Sequence, residues 1–190
     1  MQGGWLSRGR AHVLGHDLPH DGGIMPVAIV SARLAEPAEL IPHLFRDIDP
    51  GLAGRLKPGD FIVAGRNFGA GKPHTSGYLA LASLGLRVLC ESAPSAVVRA
   101  TLNLGLPLMH RCAGIAGLVS DGDEIEVDCA TGRVENLTRP AVHRFEPISE
   151  EARRMLEQGG LNGLLARWLA AHPELAMPYA APGDEPGRVP

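Results

Sequence analysis

The sequence has little of several features that mark common classes of protein. Aromatic residues make up only 4% of the chain, and its 190 residues include just 3 cysteines, Cys90, Cys112 and Cys129. An odd number of widely spaced cysteines fits reduced thiols in a core better than a disulfide framework or a metal knuckle. No apolar run reaches the ~18 residues of a membrane span, and residues 1–10 lack the apolar stretch of a signal peptide. We therefore expect a cytoplasmic protein that does not enter membranes.

Neither sign of charge predominates. The chain carries 18 Lys and Arg against 21 Asp and Glu, and no basic patch stands out. This balance argues against nucleic-acid binding, which depends on concentrated positive charge. With 45% apolar residues the chain can bury the core of one compact domain. We expect that domain over residues 10–174, after an N-terminal extension at 1–9 and before a flexible, proline-rich tail at 175–190.

The most informative segment is the glycine-rich stretch at residues 59–77. An apolar run of strand type leads into a loop with three glycines, and the loop opens into a helix-forming run. Glycines let a backbone approach a ligand closely, and a helix N-terminus offers N–H groups to an anion. The segment therefore predicts a binding site for a small, negatively charged molecule.

Two known glycine motifs were compared with this loop. A phosphate-binding P-loop is excluded, because Arg66 stands where its first glycine belongs and Pro73 where its Ser or Thr belongs. A dinucleotide-binding fingerprint is weakened by His74, which replaces its third glycine. A following strand-like run at 86–90 and Glu91 keep that second alternative open.

The pattern of apolar and turn residues predicts alternating strands and helices. Strands are predicted at 11–14, 27–30, 60–64, 87–90, 107–110, 124–128 and 142–145. Helices are predicted at 37–46, 75–84, 93–103, 149–158 and 161–171. This alternation predicts an α/β protein.

Eight segments, in the same order along about residues 10–170, carry a resemblance to a known family. They are 15–26, 47–50, 57–60, 67–71, 103–108, 121–128, 145–147 and 156–161. In this set the chain resembles the small subunit of isopropylmalate dehydratase and its homoaconitase relatives, in the aconitase superfamily. The resemblance implies a layered β/β/α fold, the swivelling domain that corresponds to the mobile last domain of aconitase.

The resemblance also implies a function and partners. It implies the small subunit of a two-subunit hydro-lyase that acts on a malate-type hydroxy acid, a small anionic substrate. In the family a [4Fe-4S] cluster sits on the separate large subunit, which would be the partner of this chain. We expect no cofactor on this chain, because its cysteines lack the close spacing that cluster ligands need.

The catalytic loop departs from the family pattern. Where active members carry Gly-Ser-Ser-Arg-Glu-His, with a serine base and an arginine that grips a carboxylate, this chain has Lys72, Pro73 and His74 after Gly71. A desolvated lysine can accept a proton, so Lys72 is a candidate base. His74 is a candidate for carboxylate binding or for acid–base chemistry. The alternative is a non-catalytic or regulatory relative that keeps the fold.

Further candidates for substrate binding follow from the same resemblance. They are Asn67, Gly69, Gly71, Thr75 and Ser76 in the loop, Arg33 after the opening segment, and His20 and Asp21 within it. Arg33 could grip a second carboxylate or be an ordinary surface charge. His20 and Asp21 could position His74 or the substrate, or form a solvated turn.

The spacing of three histidines near the N-terminus is compatible with a metal site. His12, His16 and His20 would share one face of a helix, but Gly15 and Pro19 make a helix there costly. We predict no metal site on this chain.

Overall fold

A computed structural model describes residues 4–72 and 74–175 as an α/β fold. Its strands are β1 (Leu6–Val13), β2 (Phe61–Ala64), β3 (Arg87–Cys90), β4 (Leu108–Met109), β5 (Glu124–Asp128), β6 (Arg133–Asn136) and β7 (Ala141–Arg144). Its helices are α1 (Val27–Ala32), α2 (Pro37–Leu40), α3 (Leu52–Arg55), α4 (Ser76–Ser83), α5 (Ser95–Asn103), α6 (Ile115–Leu118), α7 (Glu150–Glu157) and α8 (Gly160–Ala171). Short 3-10 helices occupy Ile41–His43 and Pro173–Leu175.

The seven strands form one mixed sheet in the order β4-β3-β2-β1-β5-β6-β7. Strand β1 joins its two halves, because its first part pairs antiparallel with β5 and its last part pairs parallel with β2. From β1 to β4 the neighbouring strands are parallel, and from β1 to β7 they are antiparallel. Parallel neighbours need long crossover connections, so the helices α4 and α5 lie in the parallel half.

The buried apolar side chains form two clusters. In β2, Ile62 and Ala64 belong to one cluster, whereas Phe61 and Val63 belong to the other. Successive side chains of a strand point to opposite faces, so the two clusters lie on opposite faces of the sheet. The prediction that the three cysteines are core residues is confirmed, because all of them are buried and unpaired.

Several predicted elements are confirmed to within two residues. They are β2, β3, β5 and β7, together with α4, α5, α7 and α8. Local chemistry explains α7: Ser149 accepts a hydrogen bond from the Ala152 N–H at 3.3 Å, and Glu150 and Glu151 lie in the first turn. Glycines at 159 and 160, both with positive φ, then separate α7 from α8.

The predicted strand at 27–30 is wrong. These residues begin α1, which starts directly after Pro26. Valine and isoleucine favour strands by only ~1 kcal/mol across the whole propensity scale, and packing can outweigh that preference. Here Ile29 and Val30 pack against the first core cluster while Val27 is 56% exposed.

Other boundaries also differ from the predictions. The helix predicted at 37–46 ends at Leu40 and continues as a 3-10 turn that contains Pro42, which has no N–H to donate. Strand β1 begins at Leu6, so residues 6–9 pair with β5 and are part of the sheet rather than an extension. Strand β4 is reduced to Leu108–Met109, and β6 was not predicted.

Two further findings concern the ends of the chain and membranes. In the predicted tail, residues 176–190 lie outside the described residues. No helix among the described residues is long and apolar enough to cross a bilayer.

Candidate functional site

The glycine-rich loop leaves the end of β2 and leads into α4, as the sequence predicts. Strands β2 and β3 are parallel neighbours, so β2, the loop, α4 and β3 form one crossover unit. The loop has no room for a side chain at its first residue, because a Cβ on Gly65 would lie 2.1 Å from His16 Nδ1. The loop is therefore packed tightly against the opening segment of the chain.

The two candidate glycines of the loop, Gly69 and Gly71, differ in their surroundings. Both have positive φ, 75° at Gly69 and 107° at Gly71. A Cβ on Gly69 would lie only 2.2 Å from the Tyr78 hydroxyl oxygen, whereas a Cβ on Gly71 would meet no atom of the described residues within 4 Å. Gly69 is thus required by internal packing, and Gly71 faces open space.

Hydrogen bonds fasten the opening segment alongside this loop. The His20 N–H donates to the Ala70 carbonyl at 3.0 Å, and the Asn67 side-chain amide donates to Asp17 at 3.2 Å. Asn67 itself is in the left-handed region, with φ of 62°, which asparagine tolerates better than most residues. These contacts bring two stretches that are far apart in sequence into one site.

The centre of the site is Asp21, whose carboxylate lies between two imidazole rings. Its Oδ1 is 2.7 Å from His20 Nδ1, and its Oδ2 is 2.8 Å from His74 Nδ1. The side chain of His20 is fully buried, whereas that of His74 is 43% exposed. The structure brings His20 and Asp21 together with His74, as the positioning hypothesis requires, and the role itself stays a prediction. His20 is not in a solvated turn, because its side chain is buried.

The hydrogen bonds determine which nitrogen of His20 carries the proton. The Gly77 N–H can only donate, and it donates to His20 Nε2 at 3.1 Å. His20 Nε2 is therefore the acceptor nitrogen, and the ring hydrogen lies on Nδ1, which donates to Asp21. Burial lowers the pKa of His20 below its usual value, although the Asp21 carboxylate opposes that shift.

The electrostatics of Asp21 follow from the same contacts. Burial alone would raise its pKa, but the hydrogen bonds from His20 and His74 outweigh that effect and lower it. An ionised Asp21 orients His74 with the Nδ1 hydrogen towards the carboxylate. The Nε2 atom of His74 then carries a lone pair on the exposed side of the ring.

Donor atoms of His20, Asp21 and His74 lie within 4.8 Å of one another, a separation that a metal ion could bridge. The tautomer of His20 opposes such a site, because Nδ1 carries the hydrogen and cannot offer a lone pair to a cation. The absence of a metal on this chain stays a prediction, and the Gly77 hydrogen bond now supports it.

The side chains of the remaining candidates make no hydrogen bond or ion pair with this centre within residues 4–72 and 74–175. Lys72 and Thr75 are exposed, and the Lys72 side chain has no hydrogen-bond or ion-pair partner within the described ranges. Ser76 begins α4, and its Oγ is enclosed without a partner among the same residues. Arg33 is exposed and ends α1 in the left-handed conformation.

Two residues of the site were not predicted as such. Tyr78 donates from its hydroxyl to the Gly69 carbonyl at 3.3 Å, and its ring lies 5.0 Å from that of His20 between centroids. Gly77 admits His20, since a Cβ there would approach His20 Nε2 to 3.1 Å and the Ile24 side chain to 2.6 Å. An aromatic residue with a polar end in the first turn after a glycine loop was the available signal for Tyr78.

Comparisons with known proteins place this geometry in a family. The 3-isopropylmalate dehydratase small subunit of Moorella thermoacetica is 32% identical over 166 residues, which cover 85% of this chain and 96% of that one. The isopropylmalate/citramalate isomerase small subunit of Methanocaldococcus jannaschii is 35% identical over 169 residues, 87% of this chain and 96% of the relative. The chain belongs to the family of 3-isopropylmalate dehydratase small subunits.

A solved structure of that family has the same fold. The crystal structure of 3-isopropylmalate dehydratase from Methanocaldococcus jannaschii matches with a TM-score of 0.77 and 29% identity, over 89% of this chain and 99% of that one. No protein-family model matches the chain. The family resemblance and the predicted α/β fold are thus confirmed, and this small subunit belongs to the hydro-lyases.

Proposed function

We propose that this chain is the small subunit of a two-subunit hydro-lyase that acts on a malate-type hydroxy acid. Its partner would be a large subunit that carries the [4Fe-4S] cluster, the Lewis acid for the leaving hydroxyl. The observation that carries a catalytic role for this chain is the Asp21–His74 pair at the open end of the glycine loop. Membership of the small-subunit family supports the choice of reaction and partner.

The residues of this chain do not fit the cluster. Cys112 and Cys129 are buried in the core, and burial raises their pKa to about 12 and about 11. Cluster ligands are thiolates, which these surroundings disfavour. The three cysteines therefore support placing the cluster on the partner.

His74 is the better candidate for the general base. Its Nδ1 hydrogen is directed at Asp21, so Nε2 can accept the proton that leaves the carbon of the hydroxy acid. The Asp21 carboxylate would stabilise the imidazolium that forms, as the aspartate of a Ser-His-Asp triad does. Lys72 has no such orienting partner in the described part of the chain.

Cationic and backbone groups around His74 would bind the carboxylates of the substrate. Lys72 and Arg33 are exposed cations that could each hold one carboxylate. Asn67, Gly69, Gly71, Thr75 and Ser76 would form the wall beside them, and Gly71 faces open space that a ligand can enter. His20 would act through Asp21, as a positioning residue.

The alternative is a non-catalytic subunit that keeps the fold. The loop supports it in one respect, because Lys72, Pro73 and His74 stand where the family resemblance implies a serine base and an arginine. The oriented Asp21–His74 pair favours the catalytic proposal over this one.

The test uses the complex with the large subunit and a panel of malate-type acids. We expect His74→Ala to lower kcat by about a hundredfold or more, the usual scale for loss of a general base. Asp21→Asn should also lower kcat and should move the pH dependence of kcat, since it removes the charge that orients His74. Assembly with the large subunit should persist in both variants.

His43→Ala is the matched control, because the His43 ring contacts Arg46 and is hydrogen-bonded to none of His20, Asp21 and His74 among the described residues. Near-normal kcat in His74→Ala would remove His74 from the role of base. An assembled wild-type complex that turns over none of the acids would favour the non-catalytic alternative.

A further inference from the structure

A second buried histidine–aspartate pair lies at the other end of β2 from the glycine loop. His12 lies on β1 and Asp60 directly precedes β2, with His12 Nε2 3.0 Å from Asp60 Oδ2. Their side chains are only 5% and 9% exposed. Neither residue takes part in the site around Asp21.

The Asp60 carboxylate is fully occupied by donors of the protein. Besides His12, it accepts the Arg10 N–H at 3.1 Å and the Lys57 N–H at 2.9 Å. Since a carboxylate accepts, His12 Nε2 is the donor of the pair. In the neutral ring the other nitrogen, Nδ1, therefore carries a lone pair.

His12 Nδ1 remains without a partner in residues 4–72 and 74–175. In the same residues the only fully enclosed side-chain nitrogen or oxygen atom that lacks a partner is Ser76 Oγ. His12 Nδ1 thus keeps contact with open space, although only 4% of the residue is exposed. His12 lines a cavity of about 260 Å³, and Nδ1 is the ring nitrogen left to face it.

The wall of this cavity is rich in cationic groups. Arg10, Arg55 and Lys57 line it, together with the carboxylates Asp60 and Asp121. Arg55 is paired with Asp49, outside the lining, at 2.5 Å. For Arg10 and Lys57 the described residues provide no ion-pair partner, so their charged ends can serve a ligand.

The acidic groups of the wall are already engaged. Asp60 accepts the three hydrogen bonds given above, and Asp121 accepts the Val13 N–H at 3.0 Å. Both carboxylates keep their charge, so the lining holds three cations against two carboxylates. A ligand would meet the two cations that lack an ion-pair partner among the described residues, Arg10 and Lys57, and one imidazole lone pair. An oxyanion that also carries one hydroxyl hydrogen satisfies all three.

We propose that this cavity binds free inorganic phosphate, whose dianion keeps one P–O–H group near neutral pH. Lys57 and Arg10 donate to the anionic oxygens, and the P–O–H group donates to His12 Nδ1. Asp60 fixes the His12 tautomer that makes Nδ1 the acceptor. Since the cavity and the glycine loop lie at opposite ends of β2, this is a second site and not that of the hydroxy acid.

The experiment follows the His12 ring signals by NMR while inorganic phosphate is added to the full chain at constant ionic strength. We expect a saturable shift. Sulfate is the matched probe, because it has the same shape and charge but no hydroxyl hydrogen near neutral pH. Loss of one hydrogen bond should make sulfate bind about tenfold more weakly.

Variants test the cationic groups. Lys57→Ala and Arg10→Ala should each weaken phosphate binding by about tenfold, the scale of one charge-assisted hydrogen bond in a partly exposed site. Arg99→Ala, which removes an equal charge from the exposed face of α5, should leave it unchanged. Both cavity side chains are exposed, so the variants should fold, as thermal unfolding will show.

The outcomes are distinct. No saturable shift with phosphate, equal binding of sulfate, or wild-type affinity in both cavity variants would overturn the proposal. Glycerol 3-phosphate, a dianion without a P–O–H group near neutral pH, should bind about as weakly as sulfate. Binding of glycerol 3-phosphate as tight as that of phosphate would also overturn the proposal.

Discussion

At the scale of single residues, Asp21 decides what its neighbours can do. One carboxylate receives the Nδ1 hydrogens of both His20 and His74. It fixes the buried ring as a neutral donor and leaves the exposed ring with an available Nε2. The roles of two histidines that are far apart in sequence therefore depend on a single acidic residue.

The lowered pKa of His20 predicts how stability depends on pH. Its folded value lies below the ordinary 6.5, so the unfolded chain binds more protons between those two values. The free energy of unfolding should therefore fall as pH drops below about 6.5. The pKa of Asp21 is also lowered, but from 3.8, so it contributes only in more acid solution.

The check is urea unfolding of wild type and His20→Gln between pH 5 and 7. The amide of glutamine can accept the Gly77 N–H and does not titrate, so the variant should show a shallower dependence on pH. His110, whose pKa burial also lowers, accounts for the slope that remains. Equal slopes in the two proteins would contradict the prediction.

Variants of Lys72 show whether this residue attracts the substrate or acts as the base. If it only attracts the anionic substrate, Lys72→Arg should keep most of the turnover and Lys72→Ala should mainly raise KM. If it were the base, both variants would lose about a hundredfold in kcat, because a guanidinium does not give up its proton. We expect the first result from steady-state kinetics of the complex, since His74 has the orienting carboxylate.

At the scale of elements, the connection from β2 to α4 is built by packing and not by sequence motif alone. The first turn of α4 brings the Gly77 N–H to His20 and the Tyr78 hydroxyl to the Gly69 carbonyl. The helix thus holds both the opening segment and the loop. A substitution at Gly69 should therefore destabilise the packing of the opening segment, the loop and α4 together.

The two loop glycines should respond differently to substitution. Gly69→Ala adds a Cβ 2.2 Å from the Tyr78 hydroxyl at a positive φ, and we expect it to destabilise the fold by about 3 kcal/mol. Gly71→Ala meets no atom and should cost only about 1–2 kcal/mol of backbone strain.

Urea unfolding of the two variants measures the difference. Activity of the complex separates a further role of Gly71, because Gly71→Ala places a methyl group in the open space beside the backbone and should hinder the approach of substrate or partner at that small cost in stability. A Gly71→Ala complex with normal activity would show that nothing approaches the backbone there.

At the scale of the whole molecule, the proposed function requires a second subunit to complete the site. The three cysteines are buried, which disfavours the thiolates that an iron–sulfur cluster needs. We expect the anaerobically purified chain to be colourless and inactive, and to gain activity only with the large subunit. An iron–sulfur absorption band in the chain alone would contradict this.

The sequence by itself determined the family, the α/β class and the position of the glycine loop between a strand and a helix. The family followed from the resemblance of eight segments, and the other two features from local patterns: apolar runs, loop glycines and a Ser-Glu-Glu helix start at residue 149. The same local reasoning misplaced residues 27–30 as a strand, because the contacts of Ile29 and Val30 with the core are not encoded in neighbouring residues.

The family resemblance suggested that His20 and Asp21 could position His74, but only the tertiary structure decided between that arrangement and a solvated turn. His20 and Asp21 meet His74 because the opening segment lies along the loop, a pairing of stretches about fifty residues apart in the chain. The tautomer of His20 depends on the Gly77 N–H, and the His12–Asp60 pair depends on the parallel pairing of β1 with β2. Such long-range contacts arise from the packing of the whole fold, so no spacing along the sequence reveals them.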